Sequence, residues 1–350
     1  MQELNGLRYL YTVNSTVSIV IPCLNEVAYI ERCVRSTMTQ TYPNERIQVV
    51  VADGGSNDGT LRKLAELKRD FPQVMVVDNP KRFTPVALNL GVNATVSDVV
   101  VILGAHAELS AEFVERCMDA LTLHPDAGCV GGIIENVHEN HTAAIVSRAM
   151  QSPFGVGNAR FRTGGSAGYV DTVAFGAYRR EVFKTIGLFD EDLVRNQDDE
   201  FNYRLTKAGF KVWFDPEIRS KYYVRASYKK LFRQYFQYGY WKVFVNRKHK
   251  AVTTWRQVVP FAFVLWLVTA SALAAISPIF VPLLTLPALI WLLAALAAGI
   301  GMGTPSRDLP GLTLSFFILH AAYGLGYGRG IFDFLLLRRM PSADQYTLSR

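Results

Sequence analysis

Three stretches of this 350-residue chain gather side chains able to hold a ligand or move a proton. In the first, an apolar run (Val49, Val50, Val51, Ala52) stops at Asp53 and breaks into Gly54-Gly55-Ser56-Asn57-Asp58-Gly59. A continuous apolar run bounded by turn residues reads as a strand buried on both faces, hence parallel. Ligands of open parallel sheets sit beyond the carboxyl ends of the strands, which is where Asp53 stands. Capping of a helix that starts near Thr60 is the other reading of the same carboxylate. The second stretch, Asn196-Gln197-Asp198-Asp199-Glu200, sets three acids side by side. They repel one another unless Arg195 or Arg204 relieves the charge. A solvated helix start favoured by the dipole accounts for Asp199 and Glu200, but less well for the apolar face of Phe201, Leu205 and Phe210 that comes after them. The third, Gly104-Ala105-His106-Ala107-Glu108, closes another apolar run. In an extended segment His106 and Glu108 share one side.

The elements that must carry these loops alternate in type. Strands are predicted at Val17–Ile21, at the run ending in Asp53, at Val74–Val77 and at Asp98–Leu103. Helices are predicted between them at Val27–Met38 and Leu61–Phe71, with apolar residues spaced for one face, and at Thr84–Ala94, a short one. Such alternation predicts right-handed βαβ units and a doubly wound, Rossmann-like, mainly parallel α/β sheet. Further strands are expected at Cys129–Ile134 and Tyr169–Ala174, and a helix at Arg179–Ile186. Between the two strands, the glycine-rich Phe154–Gly165 with Arg160 and Arg162 reads either as a substrate loop or as a connection. A dinucleotide-binding dehydrogenase is excluded, because the loop after the first strand is Pro22-Cys23-Leu24-Asn25-Glu26, with no glycine for a Gly-x-Gly-x-x-Gly turn. A calcium loop at Asp53–Gly59 lacks the spacing and the terminal Glu.

Composition separates two regions. Val258–Met302 has no charged residue, and the formal charge of +7 is concentrated just before it: Arg219–Arg256 holds eleven Lys/Arg and no Asp or Glu. Val258–Ser277 and Val281–Met302 are each long enough to cross about 30 Å of hydrocarbon, with Pro278 and Pro282 at the turn between them. A basic tract beside an apolar segment fits an anionic cytoplasmic leaflet and the positive-inside rule better than nucleic acid. The third apolar segment, Leu309–Leu337, is interrupted by His320, Arg329, Asp333 and glycines, and reads as a span or as a re-entrant or interfacial segment; the latter keeps Arg338 and Arg339 inside. Met1–Arg8 carries no apolar secretory core, and four scattered cysteines without a Cys-x-x-Cys read as ordinary thiols of a reducing compartment. The expected organisation is a catalytic domain over residues 1–245 facing the cytoplasm, and a basic connector with a membrane region over 246–350, in the cell's inner membrane.

Taken together, Val17-Ser18-Ile19-Val20-Ile21-Pro22-Cys23-Leu24-Asn25-Glu26, then Ala52–Thr60, then Asn196–Arg204 resemble a family 2 glycosyltransferase of the GT-A fold. The likeness is closer to membrane-attached enzymes of bacterial exopolysaccharide synthesis of the succinoglycan type, and covers about residues 15–245. The resemblance implies roles for individual residues. By it, Pro22, Asn25, Glu26 and Asp53 hold the nucleoside, a carboxylate accepting from the imide N–H of uracil or from a ribose hydroxyl. Arg82 and Asn89 contact the diphosphate or base. The family's Asp-x-Asp, which holds a divalent metal across the diphosphate, falls on Gly104-Ala105-His106, so the metal (Mn²⁺ or Mg²⁺) passes to His106 through a neutral ring nitrogen. Protonated, His106 instead donates to a phosphate. Asp198 becomes the base that deprotonates the acceptor hydroxyl, with Gln197 where the family has Glu.

By the same resemblance Arg204, Gln234, Tyr238 and Trp241 are assigned to the acceptor. The last three lie in Gln234-Tyr235-Phe236-Gln237-Tyr238-Gly239-Tyr240-Trp241, a partial match to the Gln-x-x-Arg-Trp of processive relatives that lacks the Arg. An aromatic stripe on the membrane surface is the other account of this segment. The expected activity is inverting transfer of a sugar from a nucleotide sugar, a UDP-sugar in the first instance, to a polyprenyl-diphosphate-linked saccharide. The alternatives are transfer to a polyprenyl phosphate and a degenerate binding subunit. Asp198 favours an enzyme.

Overall fold

The computed structural model describes residues 15–224, 227–253 and 255–340. Met1–Arg8, read above for a secretory core, lies outside them. The chain divides into two compact units. The first comprises the described residues up to Val137, Arg160–Leu193 and Gln197–Tyr223; the second comprises His138–Ala159, Val194–Asn196 and the described residues from Val224 onward.

In chain order the first half runs β1 (Val17–Cys23), α1 (Ile30–Met38), β2 (Ile47–Asp53), α2 (Thr60–Asp70), β3 (Val74–Asp78), α3 (Thr84–Asn93), β4 (Val99–Ile102), β5 (Ala107–Leu109) and α4 (Phe113–Leu123). Next come β6 (Ala127–His138), α5 (His141–Met150), α6 (Pro153–Val156), α7 (Arg160–Thr163), β7 (Gly168–Val170), β8 (Ala174–Arg179), α8 (Arg180–Ile186), α9 (Gln197–Lys207) and β9 (Lys211–Val224). The sheet order is β3-β2-β1-β4-β8-β6-β9-β5, with β7 paired to β9. Strands β3, β2, β1 and β4 are parallel, as expected. From β8 on, the pairing turns antiparallel, so the sheet is mixed rather than mainly parallel.

Both faces of the parallel half are covered, which is why its strands read as unbroken apolar runs. In β1, Ile19 and Ile21 meet Cys33 and Val34 of α1 and Leu64 of α2 in one cluster, while Val20 joins Leu88 and Val92 of α3 and Phe201 and Leu205 of α9 in another. Each such side chain, fully buried, contributes about 1.5–3 kcal/mol. In β9 the pattern instead alternates: Val212, Phe214, Ile218 and Ser220 are buried, and Lys211, Arg219 and Lys221 are exposed. The start of the basic tract is thus the outer face of a strand. The four cysteines are buried free thiols, and burial raises the pKa of Cys33, Cys117 and Cys129.

The second unit holds α10 (Tyr228–His249), α11 (Val259–Ile276), α12 (Val281–Gly301) and α13 (Leu309–Gly330), the last continued by a π-helical segment, Ile331–Leu336. The boundary expected near residue 245 falls inside α10. With their flanking turns, α11, α12 and α13 form three stretches long and apolar enough to cross a membrane. The glycines of the third segment do not interrupt it. A Cβ on Gly326 would stand 2.0 Å from the Phe236 carbonyl oxygen of α10, and one on Gly324 2.2 Å from the Pro260 carbonyl oxygen of α11. Small residues here let helix backbones touch. Of the third helix's apolar stretch 39% is buried inside the protein, against 11% and 6% for the first two. Its cover comes from α10, from α6 (Phe154 edge-on to Phe316, 5.0 Å) and from α12 (Gly299 at Leu312).

Candidate active site

Register places the loops. Cys23 of β1 lies opposite Asp53 of β2, and Val20 opposite Ile102 of β4, so residues 22–26, 53–59 and 104–108 leave the same edge of the parallel strands. The first two loops are latched together. The Asn25 N–H donates to Ser56 Oγ (2.8 Å) and the Asn57 N–H to Asn25 Oδ1 (2.9 Å), with Asn25 at φ +54. The Glu26 N–H donates to Thr60 Oγ1 (2.9 Å) and the Val27 N–H to Asp58 Oδ2 (3.1 Å).

Asp53, only 2% exposed, is the keystone of this latch. Its Oδ1 accepts from the Gly55 and Ser56 N–H groups (2.9 and 2.8 Å) and its Oδ2 from Ser56 Oγ (2.6 Å). It does not cap α2: Thr60 N, at that helix's first residue, donates to Asp58 Oδ1 (3.0 Å). Burial acts to raise the Asp58 pKa, but the bonds from Thr60 and Val27 outweigh it and hold the carboxyl below its ordinary value. Pro22 sits opposite Ala52 in the same register. Arg82 is exposed, turned to φ +61, and its Cα would stand 3.4 Å from a Cβ on Gly54, so its backbone closes onto the Asp53 loop. Asn89 has another task. Its amide donates to the Phe189 carbonyl (2.9 Å) and Glu191 Oε1 (3.2 Å) and accepts from the Phe189 N–H (2.9 Å), stapling α3 to the loop after α8. Bonds from Lys81 and then Asn89 hold Glu191 below the usual carboxylate range. Asn89 is committed there and not turned toward a diphosphate.

At the third loop, β5 pairs with β9, Ala107 opposite Tyr222 and Glu108 opposite Lys221. The His106 carbonyl accepts from the Tyr223 N–H (3.1 Å), its ring packs on Tyr222 (centroids 4.8 Å, 60°), and Nδ1 lies 3.3 Å from Glu26 Oε1. Glu108 is engaged elsewhere, accepting from Tyr223 Oη at 2.5 Å. A Cβ on Gly104 would stand 3.3 Å from the Phe175 ring, so a side chain at position 104 would meet that ring. Phe175 itself holds φ +50, a conformation disfavoured for a bulky residue. Phe175 and Tyr222 were not legible as site residues: only the antiparallel pairing brings them here.

The donors at this edge decide whether a metal fits. No group of three or more His, Cys, Asp or Glu side chains among the described residues forms a protein-only cage. The set consists of His106 with Glu26 behind it. This suits a cation held mainly by its substrate's phosphates, as Mg²⁺ usually is, and an imidazole ligand backed by a carboxylate is the usual arrangement at metal sites. The residues fit such a group through His106.

Helix α9 supplies the acids. Its Asn202 is held by Tyr178 Oη on Oδ1 (3.1 Å) and donates to Thr172 Oγ1 (2.9 Å), just before β8. Because β8 is antiparallel to β4, its start lies at the edge where β4 ends. Asn202 thereby ties α9 to the end of the sheet that carries Asp53 and His106. Asp198 is exposed there, its Oδ1 accepting from the Asp199 N–H (2.9 Å). The three acids are not equivalent. Glu200 is 2% exposed and bound by both Arg204 Nε (2.7 Å) and Nη2 (2.9 Å). Arg204 also donates to the Ile186 and Leu188 carbonyls (2.6 and 2.9 Å), so it fixes α9 to α8 and is not placed for an acceptor. Arg195, in the second unit, donates to Gln237 Oε1 (3.2 Å).

Of the acceptor residues expected on α10, Gln234 donates to Tyr238 Oη (2.9 Å), and both are half-buried. Trp241 is 1% exposed, packed with Phe244 (5.8 Å) and Phe334 (6.4 Å). It belongs to the helix packing of the second unit, neither lining an acceptor site nor lying on a membrane surface.

Residues 18–187 match the model of glycosyl transferase family 2. A succinoglycan biosynthesis protein of Rhizobium meliloti is 33% identical over 322 residues, covering 90% of this chain and 95% of the relative. A dolichyl N-acetyl-α-D-glucosaminyl phosphate 3-β-D-2,3-diacetamido-2,3-dideoxy-β-D-glucuronosyltransferase of Methanococcus voltae is 32% identical, covering 90% and 97%. Among solved structures, a mannosyltransferase of Pyrobaculum calidifontis in complex with GDP-Man and Mn²⁺ shares the fold, with TM-score 0.61 and 19% identity over 91% of this chain and 89% of that one. With a mixed GT-A sheet, an acid and an imidazole at its carboxyl edge, and relatives matched over nearly their whole length, this chain belongs to glycosyl transferase family 2 and is a glycosyltransferase.

Proposed function

We propose that the enzyme transfers a sugar, with inversion, from a nucleotide sugar to a lipid-linked saccharide in cell-surface polysaccharide synthesis. The observation that carries this reading is the exposed Asp198 carboxylate at the start of α9, on the same sheet edge as Asp53 and His106. Pro22, Asn25 and the Asp53 loop hold the nucleoside, a uracil imide N–H suiting a carboxylate acceptor. Arg82, exposed beside that loop, neutralises diphosphate charge. Asp198 takes the proton of the acceptor hydroxyl as it attacks the anomeric carbon opposite the departing diphosphate. Negative charge beside an oxocarbenium-like transition state helps further. His106 would hold a divalent cation, which when bound would offset charge on the leaving group.

The dolichyl N-acetyl-α-D-glucosaminyl phosphate transferase supports a polyprenyl-linked acceptor; a saccharide on a diphosphate is the first choice and direct transfer to a polyprenyl phosphate the alternative. We further propose that α11 and α12 cross the inner membrane as a hairpin, with the catalytic unit in the cytoplasm. Helix α13, partly covered by α10, α6, α11 and α12 and also long and apolar enough to span, is assigned as a re-entrant or interfacial segment, with a third span as the alternative. The test is transfer of radiolabel from a panel of UDP- and GDP-sugars into the lipid extract of membranes containing the enzyme. Label in the lipid fraction from one donor is expected, and no transfer from any donor would refute the reading.

A further inference from the structure

We propose that Glu26 is the positioning residue that fixes the tautomer of His106, leaving Nε2 as the ring's open nitrogen. The inference rests on the proposed role of His106 at the diphosphate, and it gives Glu26 a task different from the nucleoside contact expected from the family.

Glu26 is rigid before its side chain does anything. Its N–H is bound to Thr60 Oγ1 (2.9 Å), and its carbonyl accepts from the Tyr29 and Ile30 N–H groups (both 2.9 Å), which starts α1. Its side chain is 5% exposed, and Oε1 lies 3.3 Å from His106 Nδ1. A carboxylate accepts hydrogen bonds, so the ring nitrogen facing it is the one that carries the hydrogen. In the neutral ring Nε2 then holds a lone pair. The ring has little freedom to turn away: Tyr222 packs against it at 4.8 Å, and the His106 carbonyl is pinned by the Tyr223 N–H at 3.1 Å. At 29% exposure the imidazole still opens outward while Glu26 does not, so the pair has a buried orienting half and an accessible binding half. At metal sites, a carboxylate behind a histidine sets ring orientation and raises its basicity. Here one such pair stands where the resemblance expects two aspartates, and Gly104, under the Phe175 ring, supplies no second donor.

The test reads the tautomer directly in the full-length, metal-free protein labelled with ¹⁵N-histidine. Long-range ¹H–¹⁵N correlation spectra are recorded, with the His106 signals assigned by their loss in His106→Gln. The wild type should show the Nδ1–H form, and Glu26→Ala should shift His106 toward the Nε2–H form. Mn²⁺ affinity in the presence of UDP should fall about 10–100-fold in Glu26→Ala, while UDP binding in chelator changes less than about threefold, well inside one decade of affinity. Glu26→Gln, which keeps side-chain size and an acceptor oxygen, should recover part of the Mn²⁺ affinity and also serves if the alanine variant does not fold. An Nε2–H tautomer in the wild type would overturn the proposal. So would a loss of UDP binding in chelator as large as that of Asp53→Ala, which would make Glu26 a nucleoside ligand. Because the spectra need neither donor nor acceptor, an enzyme that transfers no sugar yet shows the Nδ1–H form would refute the proposed function and leave this assignment standing.

Discussion

Replacing Asp53 separates a loop-ordering carboxylate from a direct nucleoside contact. Its Oδ1 accepts from two backbone N–H groups, at 2.9 and 2.8 Å, and its Oδ2 from the Ser56 hydroxyl at 2.6 Å. Hydrogen bonds to a charged acceptor contribute about 1.5–3 kcal/mol each when the partner is otherwise left unsatisfied. Alanine leaves the buried Ser56 N–H without its acceptor, whereas water reaches the exposed Gly55. The ordered loop then loses about 3 kcal/mol, taking the lower part of that range for two bonds. If the nucleotide must restore the loop, its Kd rises about 100-fold, at 1.4 kcal/mol per decade. Asparagine keeps Oδ1 for both N–H groups, so a mainly structural role predicts a rise of only about 5–10-fold, near 1 kcal/mol. Titration calorimetry of UDP into the detergent-solubilised variants measures both. A Kd for Asp53→Ala within about threefold of wild type would refute the keystone role, and equal losses in Asn and Ala would move the weight to direct contact.

Other substitutions check the remaining assignments. Arg204→Ala should destabilise the protein by about 3–5 kcal/mol, because it strands the buried Glu200 carboxylate; a thermal melt that is unchanged while acceptor KM rises would return Arg204 to acceptor binding. Gly326→Ala cannot be accommodated 2.0 Å from the Phe236 carbonyl without parting α10 from α13. It should cost about 1–3 kcal/mol, seen as a lower melting temperature in detergent, whereas Gly301→Ala, with open space around it, should be neutral or mildly stabilising. Trp241→Ala should lower stability by about 3–5 kcal/mol, with the acceptor KM of the residual folded enzyme unchanged.

The parallel half of the fold was legible because both of its faces are covered, so β1, β2, β3 and β4 read as apolar runs ending in turns. The antiparallel half was harder to read. In β9, buried Val212, Phe214 and Ile218 are interleaved with Pro216 and with charged residues, and from Arg219 on its charges merge with the basic tract that precedes the apolar segments. Strand β5 spans only Ala107–Leu109 and exists through its pairing with β9. The loop positions of Asn25, Asp53 and His106 came from strand ends alone. Their partners did not, since the Ser56 latch, the Phe175 ring over Gly104 and the Glu26–His106 contact join residues far apart in the chain. Polar type alone also misled: Asn89 and Arg204 look like ligand-binding residues, yet their donors are spent on the Phe189, Ile186 and Leu188 backbone. The glycines of α13 looked like breaks because close helix–helix approach leaves no periodic signal in a single segment.

Asp198 as the base of an inverting transfer is the claim on which the proposed mechanism depends. The direct measurement is sugar transfer to lipid by Asp198→Asn, made alongside nucleotide affinity in the same preparation. Nucleotide binding within about threefold of wild type, with transfer reduced by at least about 10²–10⁴-fold, the range ascribed to general-base catalysis, is the predicted result. Transfer at the wild-type rate would contradict the central claim.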